Sequence, residues 1–149
     1  MNKHELKITA FSSLKLLQGK SLKVTKIRVA ILDFLISKKK APYTAQEIYQ
    51  TLQKNKALKS VDLASVYRNL DKFVKSGIAS HCQLSDATLR FELTKTEHHH
   101  HIICTSCQQI DHLFTCPLTV SFSDTIAKNY KNLSHKLELY GVCPNCQNK

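Results

Sequence analysis

Apolar residues recur at helical spacing through the first half of the chain, and then the period changes. Over residues 5–17, Leu6, Phe11, Leu14 and Leu17 fall roughly on one face, and Gly19 is placed to end a helix. In "TKIRVAILDFLIS" Thr25 occupies an N-cap position. Ile27, Ile31, Phe34 and Leu35 then form an apolar stripe, while Lys26, Arg28 and Asp33 point away from it. "KKKAPY" interrupts the pattern, because Pro42 has no amide hydrogen and disfavours helix before it. "TAQE" at 44–47 is a capping box that opens a short amphipathic helix carrying Ile48 and Leu52. In "SVDLASVYRNLDKFVKSG" Asp62 suits an N-cap and Gly77 a C-cap, with Leu63, Val66, Leu70, Phe73 and Val74 as the buried stripe. The opposite face carries Ser65, Arg68, Asn69, Lys72 and Lys75, with Tyr67 at its edge. After Gly77 the alternation of "IASHCQL" and "TLRFEL" predicts two strands joined across "SDA". "HHIIC", "QIDHLF" and "HKLELYGVC" predict further strands, and residues 121–132 a helix.

This order predicts an α+β fold. A helix over 1–20 precedes a winged helix-turn-helix domain over 21–94, and a small α/β unit over 95–149 follows. The last unit has too few apolar positions to stand alone, which calls for metal and a partner chain. A winged helix would lay its last helix in the major groove of DNA, where Arg68 reaches the O6 and N7 edge of guanine. The plainer alternative is a small helical domain whose charged face meets only water.

Charge favours the first reading. Lys and Arg outnumber Asp and Glu by 22 to 11, a formal charge of +11, which concentrates phosphate-bearing partners. The chain lacks the run of about 18 apolar residues that a transmembrane helix needs. Its N-terminus has no continuous apolar core or small-residue cleavage site, so a cytoplasmic protein is expected. In that compartment six cysteines point to metal or redox chemistry rather than to disulfides.

Cys104 and Cys107 form one Cys-x-x-Cys turn, and Cys143 and Cys146 form another. Each turn presents two thiolates about one tetrahedral edge apart, so the two together make a four-thiolate zinc site that staples the chain end to the start of its domain. Cys82 and Cys116 remain, most simply as small buried hydrophobes. Four histidines, His98 to His101, run into the first Cys-x-x-Cys. On an extended strand His98 and His100 face one way and His99 and His101 the other, giving two imidazole pairs that each need partners from elsewhere. Imidazole alone does not choose among Zn, Fe, Co and Ni.

"LKVTKIRVAILDFL", "SVYRNLDKFVKSGI", "FELT", "HHHHIICTSC" and "LYGVCPNC", across residues 20–147, resemble the ferric uptake regulator family. The resemblance implies a dimeric bacterial repressor that binds a palindromic operator in double-stranded DNA. A winged-helix domain is hinged to an α/β dimerisation domain, and a regulatory metal at the hinge sets the DNA-binding posture. It assigns Cys104, Cys107, Cys143 and Cys146 to structural zinc. It assigns Tyr67 and Arg68 to base contacts and Lys23 to the minor groove; Ser65 and Asn69, on the same polar helix face, are further DNA-binding candidates. It makes Glu92, His99 and His101 hinge ligands, with His112 at the position eight residues beyond Cys104. It makes His98, His100 and His135 ligands of a second site.

The chain also departs from the family pattern. His100 stands where iron-type members carry Asp, and Pro42 stands where they carry a histidine. The glutamate of the second site falls near Thr119, with Cys116 as a nearby replacement. His81 and Cys82 lie where zinc-type members draw a hinge ligand from the wing, whereas Glu92 stands where those members often have Cys. Nitrogen and sulfur in place of oxygen move preference toward Zn(II) and away from Fe(II) or Mn(II). A zinc-responsive repressor of metal-uptake genes is therefore expected, with an iron- or manganese-responsive regulator as the alternative and a peroxide sensor as a weaker one. A zinc hydrolase is the alternative outside the family, but the chain has no HExxH and no evident activating carboxylate. No enzyme activity, membrane or small organic cofactor is expected.

Overall fold

The computed structural model describes residues 12–38, 42–84, 87–94, 98–116, 129–133 and 135–147. The chain divides into two compact units, Met1–Thr94 and Lys95–Lys149.

In the first unit, residues 12–19 are helical (α1), followed by α2 (Lys26–Ser37), β1 (Tyr43–Thr44), α3 (Ala45–Leu52), a 3-10 turn (Lys56–Leu58), α4 (Leu63–Lys75), β2 (Ala79–Gln83) and β3 (Leu89–Leu93). The caps are local chemistry. Thr25 Oγ1 accepts from the Arg28 amide, and Thr44 and Glu47 close a reciprocal capping box at α3. The Asp62 carboxylate accepts from the Ser65 amide at 2.6 Å to start α4. Gly77, at φ +70°, ends α4 in a Schellman turn: its amide donates to Val74 O and the Ile78 amide to Phe73 O.

One core holds this unit together. Ile31, Leu32 and Leu35 of α2 meet Ile48 of α3, Val66, Leu70 and Phe73 of α4, and Phe91 of β3. Leu17 of α1 is fully buried in the same cluster, and Ser13 Oγ donates to Asp33 at 2.5 Å, so the N-terminal helix is built into the unit. Asp33 thus has a partner on α1 instead of facing away, while Leu6 and Phe11 lie outside the described residues. The wing is a three-stranded antiparallel sheet in the order β1-β3-β2, with Tyr43 opposite Phe91 and Ser80 opposite Glu92. The two-residue β1 was not expected; it is too short to show a period, and only its pairing with β3 makes it a strand.

The second unit contains β4 (His100–Cys104), β5 (Ile110–Leu113), β6 (Glu138–Gly141) and the short α5 (Pro144–Gln147). Its sheet has the order β5-β4-β6, with β4 antiparallel to β5 and parallel to β6. Among its described residues only Ile103, Cys104 and Ile110 are buried apolar side chains, a small core for independent stability. Of the helix expected over 121–132, residues 121–128 lie outside the described residues, and 130–132 are irregular. Among the described residues no helix is long and apolar enough to cross a membrane.

Candidate metal centres and nucleic-acid interface

β4 ends at Cys104, and its register with β6 places Cys104 opposite Gly141, two residues before Cys143. The Thr105 amide donates to Gly141 O at 2.9 Å, which pins the first Cys-x-x-Cys turn beside the second. The four sulfurs of Cys104, Cys107, Cys143 and Cys146 all lie within 4.8 Å of one another, with Cys107 Sγ 3.8 Å from Cys143 Sγ. A tetrahedron with zinc–sulfur bonds of about 2.3 Å has edges of about 3.8 Å, so the spacing fits zinc. The protonation chemistry agrees. Backbone amides, chiefly that of Cys107 and then that of Cys143, bring the Cys104 thiol down to about 6. At Cys146 the Ser106 hydroxyl favours the thiolate, but hydrogen bonding with Cys143 and Cys107 outweighs it and pushes the thiol up to about 12. Four sulfurs this close do not all ionise without a cation among them.

The histidine run divides as the strand period requires. On one face His98, His100, Cys116 and His135 converge, all four coordinating atoms lying within 4.8 Å of one another. His98 Nε2 is 3.0 Å from His100 Nε2 and 3.1 Å from His135 Nε2. His135 Nε2 is 3.4 Å from both His100 Nε2 and Cys116 Sγ. These separations approach the edges of about 3.3–3.4 Å set by zinc–nitrogen bonds of about 2.0–2.1 Å. Burial, and then the neighbouring imidazoles of His98 and His135, hold His100 below its ordinary pKa, which favours the neutral, coordinating ring. The region around Thr119 lies outside the described residues. If Cys116 contributes sulfur, protein with the four-cysteine cluster already filled by zinc and titrated with Co(II) should develop a thiolate-to-metal charge-transfer band that Cys116→Ser removes. A band unchanged in the variant would exclude Cys116 from that ligand set.

On the other face β5 supplies the third imidazole. His112 stands directly opposite His101 in the β4–β5 register, and His99 shares their side two residues upstream of His101. The ring centroids lie 5.3 Å apart for His99–His101, 4.9 Å for His99–His112 and 5.3 Å for His101–His112. The Phe114 ring lies 6.0 Å from both His99 and His112.

In the first unit, Glu92 is buried in β3. His81 pairs with Phe91 and Cys82 with Arg90, so Cys82 shares the Glu92 face of the sheet and His81 occupies the opposite one. The sheet therefore separates His81 from Glu92, and the two do not serve one site from this wing. Sequence period alone could not decide this, because it depends on the register of β2 on β3. Neither His81 nor Cys82 belongs to a metal-ligand cluster among the described residues.

The candidate DNA face is α4 with the segment before α2. Tyr67 is exposed on α4, its ring edge-on to Phe91 at 6.5 Å, so β3 sets its direction. Arg68 is exposed and held lightly, its Nη2 donating to Ser65 Oγ at 2.7 Å and lying 3.8 Å from Asp62. An exposed pair of this kind contributes little, so releasing Arg68 toward a base costs little. Asn69, expected at the DNA, is half-buried instead: its Nδ2 donates to Ser65 O at 2.8 Å and its Oδ1 accepts from Arg28 Nε at 3.0 Å. Arg28 Nη1 also donates to the carbonyl of the exposed Lys23 at 2.6 Å. No pattern along the chain links positions 23, 28 and 69; only packing α2 against α4 brings them together.

The fold has counterparts among known proteins. The model of the "Ferric uptake regulator family" matches residues 19–140. The chain belongs to the ferric uptake regulator family. It is 32% identical over 141 residues to the ferric uptake regulation protein of Neisseria meningitidis serogroup C, covering 93% of this chain and 96% of that one. It is 34% identical over 149 residues to the peroxide-responsive repressor PerR of Staphylococcus aureus, covering 98% and 94%. The solved Helicobacter pylori ferric uptake regulator, described as revealing three functional metal binding sites, superposes with a TM-score of 0.68 at 25% identity, covering 95% of this chain and 93% of that one. The α+β architecture is thus that of the family, a winged-helix DNA-binding domain followed by a small dimerisation domain.

Proposed function

We propose that this protein is a homodimeric, metal-dependent transcriptional repressor of metal-homeostasis genes, and that zinc is the metal to which it responds. The observation that carries this reading is the division of four consecutive histidines between two clusters, beside a four-cysteine cluster. Three ligand sets on one small unit match in number the three functional sites described for the Helicobacter pylori relative. Structural zinc belongs to Cys104, Cys107, Cys143 and Cys146. The regulatory set is His99, His101 and His112, to which the family resemblance adds Glu92, and His98, His100, His135 and Cys116 form the second set. Imidazole-rich sets with a sulfur in one of them suit Zn(II) better than Mn(II) or Fe(II).

A metal bound by the regulatory set sets the DNA-binding posture. The protein then presents two α4 helices to the half-sites of one palindrome, with Tyr67 and Arg68 at base edges and Lys23 in the minor groove. A nearly complete shift from a mostly inactive to a mostly active posture takes about 5.5 kcal/mol of differential affinity, within reach of zinc sites of about 10 kcal/mol or more. Exposed apolar residues on the second unit, Tyr130, Leu133, Tyr140 and Val142, support a partner chain there.

The iron-responsive reading retains one specific support, the buried Glu92 carboxylate, an oxygen ligand suited to Fe(II). The test is anaerobic DNA binding by protein that keeps only its four-cysteine zinc, titrated with buffered Zn(II), Fe(II) and Mn(II). Sub-nanomolar free zinc should switch binding on while iron needs micromolar levels; activation by iron near its cytoplasmic level would overturn zinc. On the DNA side, Arg68→Ala should cost roughly 1–3 kcal/mol on a specific operator and relax its sequence preference. Equal losses on specific and random DNA would remove Arg68 from base readout.

A further inference from the structure

Arg28 joins two segments that the proposed function brings to DNA. Its guanidinium donates to the Lys23 carbonyl at 2.6 Å and to Asn69 Oδ1 at 3.0 Å. Asn69 is itself tied to α4 through Ser65 O at 2.8 Å, and the Arg28 amide caps on Thr25 Oγ1 at 3.4 Å. Lys23, Tyr67 and Arg68 all project from this frame into solvent.

We propose that Arg28 is a positioning residue that latches the Lys23 segment to the recognition helix α4, so that the minor-groove lysine and the major-groove pair Tyr67 and Arg68 meet DNA as one rigid surface. The chemistry requires arginine. Its planar fork serves two acceptors lying in different directions, whereas an ammonium on a flexible stem does not hold both in fixed geometry. Hydrogen bonds from a charged donor are also among the stronger ones, so two of them suffice to order a short extended segment. Arg28 therefore acts without touching a base: it fixes where Lys23 stands relative to α4, and its half-buried position keeps it behind that surface. The inference rests on the DNA-binding reading for its consequence, but the latch itself is testable without DNA.

The experiment compares wild type, Arg28→Ala, Arg28→Lys and Asn69→Ala as zinc-loaded full chains. In DNA-free protein, hydrogen exchange at residues 21–24 should quicken roughly tenfold in Arg28→Ala and Asn69→Ala, with the α4 core unchanged. Unchanged exchange in both variants would overturn the latch, whether or not the protein binds DNA. On a sequence selected by wild type from a random pool, Lys23→Ala should weaken binding ~tenfold in the wild-type background and less than about twofold in Arg28→Ala. Arg28→Lys should retain the salt dependence of wild type yet lose this coupling. If the Lys23 and Arg28 effects simply add, and the salt slope falls by about one on losing Arg28, Arg28 is a direct phosphate contact and the latch is wrong. If Arg28→Ala does not fold, Asn69→Ala decides, since it opens the α4 end of the latch and keeps the guanidinium. If wild type selects no sequence at all, the DNA-binding reading fails, and the exchange comparison still decides the latch.

Discussion

Protein carrying Cys104→Ser together with Cys143→Ser is expected to lose the zinc proposed for the four-cysteine cluster and, with it, the fold of the second unit. The reason is one of proportion. Among the described residues this unit buries only Ile103, Cys104 and Ile110 as apolar side chains. Four-thiolate zinc sites contribute about 10–16 kcal/mol, as much as or more than the ~5–15 kcal/mol net stability of a whole domain. The two cysteines also come from opposite ends of the unit, so their loss reopens the loop that the sheet alone would have to close. The check is metal content by mass spectrometry alongside circular dichroism and size exclusion: zinc per chain should fall by one, strand signal should drop, and any dimer should dissociate. The core of the first unit, built around Phe73, Leu70 and Ile31, should survive. A variant that keeps its dimer and its secondary structure without that zinc would show that the cysteines are a redox pair rather than a staple.

The second large effect is expected at the regulatory set. His99→Ala with His101→Ala should abolish metal-dependent DNA binding, a loss of about 10²-fold as the binding-competent fraction falls from about 99% to about 1%, while the metal proposed for the four-cysteine cluster remains. The geometry explains why two substitutions suffice: His101 stands opposite His112 and His99 lies beside both, so only one imidazole of three is left. The matched control is His98→Ala with His100→Ala, two neighbours in sequence that belong to the other cluster. That pair should reduce metal stoichiometry by a different site and leave a metal response at the hinge. DNA binding as a function of free zinc, together with metals bound per chain, separates the outcomes. If the 99/101 variant loses its dimer instead, these histidines are structural and the regulatory assignment falls.

Much of this protein was legible in its sequence because the relevant physics is local. The N-caps Thr25, Thr44 and Asp62 and the C-terminal Gly77 each act within a few residues, and each caps the helix that its position announced. The two Cys-x-x-Cys turns carry their tetrahedral edge in their own spacing. The strand period alone splits four adjacent histidines into two pairs. What it could not supply is the partner of each pair. His112 meets His101 through the register of β5 on β4, and Cys116 and His135 reach His98 and His100 from sites 16 and more residues away in the chain. The same holds in the first unit. His81 and Cys82 face opposite ways by the strand period, but only the β2–β3 register decides that Cys82 is the one sharing a side with Glu92. Asn69 reads as one more polar residue on a basic helix until α2 packs against α4 and Arg28 takes its carbonyl oxygen. The sequence by itself determined the longer helices and strands of the described residues, their caps and the ligand types. Tertiary structure decided which ligands share a cluster and which polar groups are occupied, because register and packing join residues whose separation no local period encodes.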